Sequence, residues 1–101
     1  MARTPIHPGE ILADELEAMH ISAAELARTI GVPPNRISQI LAGKRAISAN
    51  TALRLGRYFR TEADFWLNLQ KIYDLDLARQ ELGSAIKNIP QRPSIPLHET
   101  I

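Results

Sequence analysis

The chain contains no cysteine, so disulfides and a cysteine-ligated metal site are excluded. Aromatic residues make up only 5% of its 101 residues, and no apolar run approaches the roughly 20 residues that cross a bilayer. No basic segment followed by an apolar stretch marks a secretory signal, so a cytoplasmic location and no membrane partner are expected. Period-two alternation is missing, as is any internal repeat. His7, His20 and His98 show no ligand spacing, and no paired carboxylates, activated nucleophile or phosphate loop stands out. Neither enzyme activity nor a cofactor nor a metal is expected.

Acidic residues are also missing from one long stretch. Between Glu25 and Glu62 there is none, while Arg28, Arg36, Lys44, Arg45, Arg54, Arg57 and Arg60 all fall there. The net charge of +1 hides this segregation, because Glu10, Asp14, Glu15 and Glu17 lie before it and more acids follow. A basic middle flanked by acidic ends attracts phosphate on one face only. What remains is 45% apolar, enough for one compact domain with a modest core.

Helix signals divide the chain. Pro8 opens a first helix and Glu10 favours its positive end, with Ile11, Leu12, Leu16 and Met19 at helical spacing and a stop near His20. Ser22 with Glu25 forms a capping box for a second helix from Ala23 to Ile30, buried through Leu26, Ala27 and Ile30. Gly31 turns the chain. Pro34 suits the first turn of a third helix running to about Ala42, and Gly43 ends it. Ser48 caps a fourth helix carrying Leu53, Leu55, Tyr58 and Phe59. The fifth begins after Thr61 and carries Phe65, Trp66, Leu69, Ile72 and Tyr73, a wider apolar surface than a small domain buries internally; these five are therefore the expected dimerisation residues. Residues 1–82 are read as the folded unit. Beyond Gly83 the pattern fails, and Pro90, Pro93 and Pro96 predict an extended or disordered tail over residues 83–101.

The second and third helices have the form of a helix-turn-helix, residues 23–42. Ala27 and Gly31 are small where two helices cross steeply, and Ile37, Ile40 and Leu41 point inward from the third. On its other side Asn35, Arg36, Ser38 and Gln39 are suited to base edges, Arg to guanine and Gln or Asn to adenine. An ordinary bundle helix is polar there too, so spacing leaves both readings open. Phosphate contacts are expected from Lys44 and Arg45 after the recognition helix, and from the helix N-termini at Ser22 and Ser48. Arg54 and Arg57 are read as solubilising the fourth helix rather than touching DNA.

Residues 25–45 (ELARTIGVPPNRISQILAGKR) resemble the Cro and C1-type (XRE) helix-turn-helix. More narrowly, residues 7–12 (HPGEIL), 47–55 (ISANTALRL) and 65–70 (FWLNLQ) resemble the HigA antitoxins, so that the likeness spans residues 7–82. It implies an all-α, five-helix lambda-repressor-like domain that binds palindromic double-stranded operator DNA as a homodimer. It also implies repression of its own operon and neutralisation of a HigB-type toxin, a messenger-RNA-cleaving enzyme of the RelE class. Three positions depart from that family's pattern. His20 and Arg60 stand at helix ends where glycine is expected, which predicts differently shaped ends, and Pro33 replaces a small polar cap on the recognition helix. A solitary repressor without a toxin shares every one of these DNA-binding residues, and a helical protein-interaction module is the reading from a different class.

Overall fold

The computed structural model describes residues 4–93, and among them five α-helices form a single bundle without strands. The first, α1 (Pro8–Met19), starts on an unusual cap: the His7 Nδ1 accepts a hydrogen bond from the Gly9 N–H at 2.9 Å. Ser22 caps α2 (Ala23–Ile30) by accepting from the Glu25 N–H at 3.1 Å. Pro33 leads into α3 (Pro34–Leu41) with no side-chain cap, as its lack of a polar atom requires. Ser48 caps α4 (Ala49–Phe59), accepting from the Thr51 N–H, and α5 (Ala63–Leu82) is the longest element.

The helix ends are shaped alike despite their different residues. His20 and Arg60 both take the left-handed conformation, with φ of 57° and 60°. The following N–H groups then close on the helix, Ile21 to the Leu16 carbonyl at 3.1 Å and Thr61 to the Gly56 carbonyl at 2.9 Å. The different shape expected from the missing glycines is therefore not found. Satisfying the terminal carbonyls outweighs the strain of a Cβ in this region, about 1–2 kcal/mol per residue.

The core forms where α1 and α2 pack on α3, and α4 and α1 pack on α5. Leu12, Leu26, Ile37, Ile40, Leu55 and Trp66 are completely buried at its centre. Each such side chain contributes about 1.5–3 kcal/mol by leaving water. Two residues expected inward are not: Met19 and Leu53 are exposed, Met19 at the last turn of α1 and Leu53 against an open groove with Thr29, Tyr58 and Arg57. Val32, Ile47 and Thr51 join the core instead.

The largest correction concerns α5. Trp66 is not a dimerisation residue: it is fully buried, packs at a tilt against Phe59 and edge-to-face against Phe65, and donates its indole N–H to Thr61 Oγ1 at 3.2 Å. Leu69 and Tyr73 are also turned toward the molecule, Leu69 against the core and Tyr73 edge-on to the His7 ring. Only Phe65 and Ile72 of the expected five remain exposed, joined by Leu75 and Leu82. Nor does the tail begin extended. Gly83–Ile86 forms one turn of 3₁₀ helix, all of it exposed, and the part of the predicted tail beyond residue 93, with Pro96 and His98, lies outside the described residues. No helix among the described residues is long and apolar enough to cross a membrane.

Candidate nucleic-acid interface

The crossing of α2 and α3 depends on small residues at the turn. Ala27 is fully buried and Gly31 takes φ of 76°, a conformation that costs glycine little. Behind α3, Gly9 of α1 lies so close that an added Cβ would stand 2.0 Å from the Ile40 carbonyl oxygen. The recognition helix is thus seated directly on the backbone of α1. Ile37 and Ile40 hold its inner side.

Its outer side carries Asn35 and Ser38, both exposed, with Gln39 half-buried and Ala42 exposed beside them. Ser38 donates its hydroxyl to the Asn35 carbonyl at 3.2 Å, so it meets a ligand through its oxygen lone pairs. Arg36, grouped with these three in sequence, is placed differently. It is half-buried on the flank next to Ile37 and Ile40, and its Nε is shut off from solvent with no hydrogen-bond partner. Only its terminal nitrogens remain to meet DNA.

Lys44 and Arg45 are exposed just beyond α3, where a Schellman closure fixes the chain. The Lys44 N–H donates to the Gln39 carbonyl at 2.9 Å and the Gly43 N–H to the Ile40 carbonyl at 3.0 Å, with Gly43 at φ of 74°. Arg45 leans on Gln39, donating from Nε to Oε1 at 2.8 Å. Ser22 and Ser48 are exposed at the first turns of α2 and α4, whose unpaired N–H groups carry partial positive charge.

Three side chains support the interface in roles that sequence alone does not reveal. Arg54 donates from Nη1 to the Ile30 carbonyl at 2.7 Å and from Nε to Asn50 Oδ1 at 2.9 Å, which caps the C-terminus of α2 rather than solubilising α4. Gln70, buried on α5, accepts from the Ile47 N–H at 2.8 Å and donates to Asp74 at 2.9 Å. It ties the loop after the recognition helix to α5. His7 is buried between that loop and Tyr73. Burial pushes its pKa below the ordinary histidine value, outweighing the upward pull of a hydrogen bond to the Arg45 backbone and of the Asp74 and Glu10 carboxylates. All three side chains lie within the segments that carry the family resemblance, but the partner of a capping or buried polar side chain leaves no periodic signal in a sequence. Among the described residues no group of three or more acidic, histidine or cysteine side chains is arranged to hold a metal ion.

The helix-turn-helix family model HTH_3 matches residues 12–66. A HigA-family addiction module antidote protein from Coxiella burnetii superposes with a TM-score of 0.87 at 46% identity, over 90% of this chain and all of that one. The chain belongs to the HigA family of helix-turn-helix antitoxins. The Pseudomonas aeruginosa antitoxin HigA, solved with the higBA promoter, matches with a TM-score of 0.84 and 46% identity over 90% of this chain and 100% of that one. Virulence-associated protein I of Dichelobacter nodosus is 50% identical over 86 residues, covering 84% of this HigA-family chain and 80% of its own length. The family is one of DNA-binding proteins with the all-α fold described above, and not of enzymes.

Proposed function

We propose that this HigA-family chain is a cytoplasmic repressor that binds a palindromic operator in its own promoter as a homodimer, and that it neutralises a HigB-type toxin encoded alongside. The observation that carries the DNA reading is the outward side of α3, where Asn35, Ser38 and Gln39 stand clear of the core on a helix seated rigidly on α1. Such side chains read base edges in the major groove, and Arg36 reaches the same groove from the flank through its terminal nitrogens. Lys44 and the α2 and α4 N-termini at Ser22 and Ser48 hold the backbone phosphates on either side.

Dimerisation follows from α5. Phe65, Ile72, Leu75 and Leu82 remain between 42% and 49% exposed after the fold is complete, and a second copy removes this area from water. Two recognition helices about 34 Å apart then address half-sites one helical turn apart. The toxin reading is supported by the exposed acids Asp14, Glu15 and Glu17 on α1, which attract a basic ribonuclease.

Binding of the purified protein to its upstream DNA and to random duplex, measured by anisotropy across a salt series, tests the first part. Protection of a palindrome at low nanomolar protein and a steep fall with salt are expected. Equal affinity for both duplexes would overturn the repressor reading. Co-expression with the neighbouring gene tests the second: rescue of growth and a complex lost on reversing Asp14, Glu15 and Glu17 are expected. Growth arrest that persists despite the folded protein would remove the antitoxin role.

A further inference from the structure

The loop after the recognition helix is clamped along its length. Its start is closed by the Lys44 N–H on the Gln39 carbonyl, and its end by the Ile47 N–H on the buried Gln70. Between them Arg45 is held by its side chain, Nε donating to Gln39 Oε1 at 2.8 Å. Arg45 is therefore not a surface cation free to follow any phosphate.

The chemistry of that contact determines what the pair offers. The Nε–H group only donates, so the Gln39 amide presents its oxygen to Arg45 and its NH₂ elsewhere. A bidentate adenine contact needs an acceptor and a donor from one amide, and here Arg45 occupies one of the two lone pairs of that acceptor and places its cation beside the other. What Gln39 and Arg45 present outward is then mainly donors: the amide NH₂ and the two terminal guanidinium nitrogens, beside the one lone pair left on Oε1. Guanine offers two acceptors on its major-groove edge, O6 and N7, and the two terminal nitrogens of a guanidinium match that spacing.

We propose that Gln39 and Arg45 act as one recognition unit, in which Arg45 reads a guanine through O6 and N7 and Gln39 is the positioning residue that aims it. This rests on the operator-binding reading above. It reassigns Arg45 from phosphate anchor to specificity determinant, and Gln39 from independent adenine reader to its support.

The test starts from a half-site selected out of a random duplex library by the wild-type protein. Binding of wild type, Gln39→Ala, Arg45→Ala, Arg45→Lys and the double variant is then measured on that site, on all its single-base changes and on random duplex. Both single alanine variants are expected to lose preference at the same G·C pair, by roughly 5- to 150-fold for Arg45→Ala, the range of one bidentate base contact. The double variant is expected to be no weaker than Arg45→Ala. Arg45→Lys, which keeps the charge and tests for misfolding, is expected to retain random-duplex affinity and salt slope while losing the guanine preference. Replacing that guanine with 7-deazaguanine in the wild-type site is expected to reproduce the loss. The proposal is overturned if Arg45→Ala weakens selected and random duplex alike and lowers the salt slope by about one with base preferences intact. It is equally overturned if Gln39→Ala relaxes a different base pair and the two effects multiply. Failure of the wild type to select any sequence removes the operator-binding reading, and this inference with it.

Discussion

Replacing Gly9 by alanine sets two effects of opposite sign against each other. By helix propensity alone the change stabilises α1, by up to about 1 kcal/mol. The structure predicts the reverse. A Cβ on Gly9 falls 2.0 Å from the Ile40 oxygen and 2.9 Å from the Ile40 carbonyl carbon. Both are backbone atoms of the recognition helix, so no rotamer change relieves the clash, and α1 and α3 must separate by more than 1 Å to restore an ordinary contact near 3.4 Å. Over-packing of this kind costs about 1–3 kcal/mol, at the upper end where backbone must move. The same Cβ lies 3.1 Å from His7 Nδ1, the atom that caps α1, and losing a cap costs about 1 kcal/mol more. The balance is a destabilisation of about 3 kcal/mol, or roughly 12–24 °C in Tm for a domain of this size. Thermal melting by circular dichroism measures it directly, and operator binding at low temperature reports whether the displaced α3 still docks. A Tm equal to or above that of the wild type would refute the claim that the recognition helix rests on the α1 backbone.

Other expectations come from the caps. Arg54→Ala is expected to destabilise the fold by about 1.5–3 kcal/mol in urea titrations, because the Ile30 carbonyl at the α2 terminus loses a charged donor; an effect within 0.5 kcal/mol would return Arg54 to a solubilising role. His20→Gly and Arg60→Gly are each expected to stabilise by about 1 kcal/mol by relieving a left-handed Cβ, which two additive rises in Tm would show. Acidification is expected to destabilise through His7. Its folded pKa lies below the ordinary 6.5, so the unfolded chain binds the proton more readily; the contribution is full above 6.5 and is lost as pH falls through the lowered folded value. His7→Asn keeps an N-cap acceptor without titrating there, and an unchanged pH slope in that variant would place the effect elsewhere.

The helix-turn-helix and its boundaries were legible because capping is local chemistry: Ser22, Ser48, Gly31 and Gly43 announce their turns within four residues. The faces of α5 were not. Apolar residues surround that helix, so spacing cannot distinguish Trp66, which fills the core, from Phe65 one position earlier, which faces solvent. At His20 and Arg60 residue type points away from a left-handed cap, yet the closing hydrogen bonds prevail. The interface was half legible. Asn35, Ser38 and Gln39 lie outward as their spacing predicts, while the flank position of Arg36 depends on which side of α3 the core claims. Arg45 resting on Gln39, and Gln70 reaching Ile47, are encounters across turns and between helices, and no periodicity encodes them.

Trp66 is the only tryptophan of the chain; its ring is closed off from solvent and meets the outward face of α5 through one neighbour, Phe65. The molecule thereby contains an intrinsic fluorophore wired to the core and to one face of α5. Its emission follows the assembly of the bundle and, through Phe65, the covering of the α5 face, while docking on α3 leaves it silent. A spectral change on adding duplex would accordingly signal that the bundle itself or its α5 face has rearranged, information that an external label on the α3 surface cannot supply.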